Sequence, residues 1–147
     1  ASYTLARVAN DAGRPAEALA SLGRLAPDRG DMRDWPSYWT QRAHALHRLG
    51  RHGEELAAAR AGRARYPDRP VMLLLEARAL AALGRRAALD SLFAAARALP
   101  PTPFFTPGAA MVVAGEDLAA HGPGGAGGAL VARGEAWLRA HLAASPE

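Results

Sequence analysis

DWPSYWTQRAHALHRLGRHGEELAAARAGRARYP, residues 34–67, is followed directly by DRPVMLLLEARALAALGRRAALDSLFAAARALPP, residues 68–101, and the two stretches are one pattern written twice. Asp34 and Pro36 recur as Asp68 and Pro70. Ala43, Ala45, Leu46, Leu49, Gly50 and Arg51 recur as Ala77, Ala79, Leu80, Leu83, Gly84 and Arg85, and Pro67 recurs as Pro101. These nine identities at an offset of 34 fall at caps, turns or apolar positions. A fixed period of this size marks a stacked repeat, in which each unit buries its apolar face against its neighbour. Within each copy the apolar residues follow helical spacing on either side of one Gly, so the unit is a helix-turn-helix.

Working outward, residues 3–12 and 15–26 read as an earlier helical pair turned by Gly13-Arg14-Pro15. Gly ends a helix in the left-handed conformation, and Pro is tolerated in the first turn of the next. Leu5, Ala6, Ala9 and Ala12 are expected on one apolar face; Ala18, Leu19, Leu22 and Leu25 are expected on the other. Pro27 is expected to stop the second helix, and Asp34 to cap the third. The helix after Gly84 is expected to run to Leu99 and stop at Pro100, Pro101 and Pro103. Beyond the second copy, Thr106-Pro107 opens a degenerate fourth pair with Met111, Gly115 and Leu118 on its first face, and Leu130, Gly134, Trp137, Leu138 and Leu142 on its second. The expectation is an all-α fold of about four pairs, approximately 1–30, 34–67, 68–101 and 106–146, in one domain spanning 1–147.

Composition agrees. The chain has no Ile, no Lys and no Cys, Asn only at position 10, and 18 Arg as its lysine-plus-arginine total. Few β-branched residues and abundant Ala favour helices over strands. Absence of Cys excludes disulfides and thiolate chemistry. The bias toward Ala, Gly, Pro and Arg suggests a GC-rich bacterial source. A net charge of +4 with a pI near 10.6 raises the question of nucleic acid, but Arg is dispersed among Asp and Glu, as on solvated helix faces. No apolar run approaches the length that spans a bilayer. The chain opens inside a helical pattern and reads as a segment of a longer, cytoplasmic protein.

The 34-residue unit resembles the tetratricopeptide repeat. In that family a large apolar residue opens helix A, a small residue follows, Gly ends the helix and Pro closes the unit. Trp39, Ala43, Leu46, Gly50 and Pro67 fill these places in one copy. Leu73, Ala77, Leu80, Gly84, Phe93 and Pro101 fill them in the next, while Ala6, Gly13, Ala18 and Leu22 match in the first pair. Glu55 departs from the pattern, standing where helix B has a small residue; Ala59 stands where it has an aromatic; and the turn Gly122–Gly128 is about seven residues too long. The resemblance implies a right-handed superhelical solenoid whose A helices line a concave groove that binds a peptide or partner protein. In repeat phase the groove residues are Tyr3, Arg7, Asn10, Asp11, Thr40, His44, His47, Arg48 and Arg78. Three of these are Arg, so an acidic segment or a C-terminal carboxylate is the expected ligand.

Other chemistries find less support. His44 and His47 share a helix face and His52 lies just past the turn, yet no third ligand is set by spacing and no metal or cofactor is expected. Asp28, Asp31 and Asp34 lack the Gly and the distal Glu of a calcium loop. Gly122–Gly128 follows a helix and precedes no Lys, so it reads as a flexible insertion rather than a phosphate cradle. Glu54 and Glu55 are adjacent and point to different parts of the helix surface, and no nucleophile motif occurs, so an enzyme is not expected. Trp35 and Tyr38 are expected to pack between repeats, and Trp39 in the core. Helical-repeat binding of nucleic acid through Arg remains the alternative to protein binding.

Overall fold

The computed structural model describes residues 1–30, 34–96, 106–121 and 125–144. These are all-helical: α1 Ser2–Asp11, α2 Pro15–Leu22, α3 Ser37–Arg48, α4 His52–Arg65, α5 Pro70–Ala82, α6 Arg86–Ala96, α7 Pro107–His121 and α8 Ala126–Ala144. No strand occurs among the described residues. Asp31, Leu99, the stop at Pro100, Pro101 and Pro103, and Gly122 to Gly124 lie outside them. The chain divides into two compact units, Ala1–Leu75 and Glu76–Glu147.

The repeat is visible atom by atom in the turns. Gly13, Gly50 and Gly84 take φ of 73°, 68° and 66°. In each turn the Gly N–H donates to the carbonyl three residues back: Asn10, His47 and Ala81. The following Arg N–H donates to the carbonyl five back: Ala9, Leu46 and Leu80. This paired closure of the last helical carbonyls requires a left-handed residue, which is why Gly recurs there. The helix that follows starts two residues after the Gly each time, on Pro15, His52 and Arg86.

In the first unit α1 packs on α2, α3 packs on α4, and α3 also packs on both α1 and α2. Ala6 and Leu22 of the first hairpin enclose Tyr38 of the second, with Tyr3, Leu25 and Trp39 around them. Ala43 meets Ala59, Met72 and Leu75, flanked by Trp39, Tyr66 and Val71. Small side chains at the helix crossings bring the backbones close. Gly62 extends this on α4, where a Cβ would come 2.8 Å from Met72 Sδ and 3.0 Å from Trp39 Cβ.

In the second unit α7 packs along α8 through four glycines in antiparallel register. A Cβ on Gly108 would meet the Gly134 carbonyl at 2.9 Å, and one on Gly134 would meet the Gly108 carbonyl at 2.6 Å. The pair one helical step along behaves alike, with Gly115 against the Gly127 carbonyl at 2.8 Å and Gly127 against that of Gly115 at 2.5 Å. The two glycines of each helix are seven apart, so both face one seam. Asp90 accepts a 2.9 Å hydrogen bond from Arg133, tying α8 to α6.

Several local expectations need correction. Ala126, Gly127 and Gly128 are the first turn of α8 rather than part of a loose insertion, because Gly127 is buried against Gly115 and Ala119. The second helix stops at Leu22, before Pro27, with Gly23 at its C-cap. Pro36 occupies the N-cap of α3, which has no side-chain cap hydrogen bond, so Asp34 does not cap it. Thr106 does cap α7, its Oγ1 accepting from the Ala109 N–H at 3.2 Å. On α1 only Ala6 and Ala9 of the expected apolar face are buried; Leu5 is exposed.

Replacing a helical Gly by Ala ordinarily stabilises by up to about 1 kcal/mol. At Gly127 the sign should reverse, because the methyl group meets backbone and Ala119. Gly128 faces open space, so Gly128→Ala should be neutral or stabilising in the same thermal melt. A second expectation concerns Ala43, which has no exposed surface. Ala43→Leu overpacks its cluster and should cost about 1–3 kcal/mol in a urea titration.

Candidate functional site

Four of the nine expected groove residues come together with one that was not expected. Asn10 and Asp11 at the end of α1, and Gln41, His44 and Arg48 along α3, line a cleft of about 390 Å³. The walls are therefore α1 and α3. Gln41, His44 and Arg48 lie three and seven residues apart, which is a single helix face. That spacing made Gln41 legible in the sequence beside His44 and Arg48.

Asn10 is the structural centre of the cleft. It is 6 % exposed, and its Nδ2 donates to the Gln41 carbonyl at 3.0 Å and to Gln41 Oε1 at 2.7 Å. Arg48 Nη1 donates to the Asn10 backbone carbonyl at 2.6 Å, so a side chain of α3 holds the C-terminal turn of α1. Asn10 Oδ1 is buried with no hydrogen-bond partner. Leaving a buried acceptor unsatisfied costs on the order of 1–3 kcal/mol. At the rim the exposed Arg7 guanidinium lies 3.5 Å from the Asp11 carboxylate, a solvated pair that contributes little.

The other expected residues go elsewhere. Tyr3 stacks on Trp35 with ring centroids 4.6 Å apart and packs beside Leu22, so it joins the hairpins instead of facing the cleft. Thr40 is half-buried on α3 and outside the cleft lining. Arg78 belongs to the second unit. His47 points to the α3–α4 turn.

At that turn Glu55 has no exposed surface, and its Oε2 accepts from His47 Nδ1 at 2.9 Å and from His52 Nδ1 at 3.1 Å. The two imidazoles meet edge to face, centroids 5.0 Å apart. Glu54, its neighbour in sequence, is exposed to solvent. There Arg51 grips it with two hydrogen bonds of 2.7 Å, and these hold its carboxyl below the ordinary carboxylate range. The two carboxylates thus diverge, as adjacent helical residues must. Of the three His weighed in the sequence, His47 and His52 are gathered with Glu55. His52 lies three residues before Glu55 on α4, a spacing the sequence carried, whereas His47 reaches Glu55 only across the turn.

No family model, curated protein or solved structure matches this chain. Among the described residues no helix is long and apolar enough to cross a membrane.

Asn10→Asp replaces an amide donor by a carboxylate facing two oxygen acceptors in a buried position. The variant should lose about 1–3 kcal/mol of stability by chemical denaturation. A midpoint equal to that of the parent chain would show that the Asn10–Gln41 bonds hold nothing together.

Proposed function

We propose that the tetratricopeptide-like hairpins of residues 1–75 form a non-catalytic module that binds an extended peptide segment of a partner protein in the α1–α3 cleft. The observation that carries this reading is a donor-rich cleft between two A helices whose hydrogen-bonding capacity is only partly used. Gln41 accepts from Asn10 through its carbonyl and Oε1, which leaves the Nε2 amide as a donor. Arg48 uses one N–H on the Asn10 carbonyl and has further guanidinium donors on an exposed side chain. Such donors match peptide carbonyls and, at Arg48, a carboxylate of an acidic side chain or chain terminus.

The Arg7–Asp11 ion pair leaves the rim without net positive charge, so it offers no track for a long polyanion. That favours a peptide over a nucleic acid. The repeat pattern supports the same reading, since helical hairpins repeated in series present one face of each A helix along a common line.

The test is a titration of the purified chain against ligands selected from a displayed library of extended peptides, by fluorescence anisotropy. Gln41→Ala and Arg48→Glu should each weaken binding about tenfold or more, about 1.4 kcal/mol, with helical content retained by circular dichroism. Affinity unchanged in both variants would remove the cleft from the function. A steep fall of affinity for oligonucleotides with salt, in place of peptide binding, would favour the nucleic-acid reading.

A further inference from the structure

We propose that His47, His52 and Glu55 form a binding site for a divalent transition-metal ion of the zinc class at the α3–α4 turn. Each residue offers one ligand atom, and the three atoms all lie within 4.8 Å of one another. Two imidazole nitrogens and one carboxylate oxygen are a ligand set suited to zinc, which binds such atoms at about 2.0–2.2 Å. The imidazole nitrogens exclude calcium and magnesium as the preferred ions, since both favour all-oxygen shells.

Placement of the ligands is set by backbone rather than by flexible loops. His47 is in the last turn of α3, His52 is the first residue of α4, and Glu55 follows one turn later. The intervening Gly50 turn is the same closed turn used at Gly13 and Gly84, so the spacing across it is rigid. The Nδ1–Oε2 distances of 2.9 and 3.1 Å need to open by only a few tenths of an ångström to admit an ion. The His47 and His52 side chains retain 20 % and 12 % exposure while Glu55 has none. An ion would therefore enter from the imidazole side, with solvent completing its coordination.

A second line of argument comes from the repeat itself. At the offset of 34, His47, His52 and Glu55 correspond to Ala81, Arg86 and Leu89. Leu89 is buried, so the hairpin closes at this place with an aliphatic side chain. The carboxylate at this place is therefore particular to the second hairpin, where it faces two imidazoles. Binding does not depend on the cleft of Asn10, Gln41 and Arg48.

The test uses the complete chain titrated with zinc, followed by calorimetry and by the imidazole signals of all five His in nuclear magnetic resonance. One ion per chain should bind, moving the His47 and His52 signals and leaving those of His44, His121 and His141 in place. Glu55→Gln and His52→Gln should each lower the zinc affinity at least about tenfold, while His121→Ala leaves it unchanged. Cobalt substituted for zinc should give the visible absorption of a four-coordinate nitrogen–oxygen site. Where a variant fails to fold, the resonance assignment on the parent chain decides. No heat and no shift at the His47 and His52 rings, or shifts confined to the other three, would overturn the site.

Discussion

The close approach of helix backbones through residues with little or no side chain is the constraint on which each unit depends. Ala43 against Ala59, Gly62 against Trp39 and Met72, and the four glycines between α7 and α8 all occupy helix crossings. Small residues at the crossings let the helices approach, and the large buried side chains, Leu22, Leu46, Met72, Leu75 and Phe93 among them, pack around those crossings. Interior Gly weakens a helix by about 0.5–1 kcal/mol relative to Ala, and the α7–α8 seam carries four. Its contacts must more than offset that cost.

Close packing also decides which polar groups are buried. Three polar side chains are buried among the described residues: Asn10, Glu55 and Glu76. Asn10 is drawn against Gln41, and Glu55 against two imidazoles. Both clusters lie next to a hairpin turn: Asn10 supplies a carbonyl to the Gly13 turn, and His47 supplies one to the Gly50 turn. The corresponding carbonyl in the third turn comes from Ala81, which brings no polar side chain. One turn geometry thus supports apolar closure, an amide network and a histidine–carboxylate cluster. Chemistry has been added at a position the backbone leaves free to vary.

The all-helical class and the turns at Gly13, Gly50 and Gly84 were legible in the chain. Gly at a left-handed position and Pro at a helix start act within a few residues, and period and phase of apolar residues act along one helix. The same local rules placed Asn10, Asp11, His44 and Arg48 on one surface, and would have added Gln41. They missed where the partner helix decides. Tyr3 was phased toward the groove but is claimed by Trp35 across the hairpin contact. Leu5 was phased inward but stays exposed, because the narrow face of α1 is filled by Ala6 and Ala9.

The repeating units and their turns were thus determined by the sequence itself, since neighbours a few residues apart dictate them. Tertiary structure alone decided the rest. The stretch Ala126–Gly128 looks like loop by composition, yet forms helix because α7 offers Gly115 and Ala119 for Gly127 to rest on. Glu55 looks like one of two adjacent surface carboxylates, yet is buried: His52 pairs with it one turn back on α4, and the turn brings His47 of α3 onto it as well. In both cases part of the deciding energy is a contact between residues that meet only when one helix lies on another.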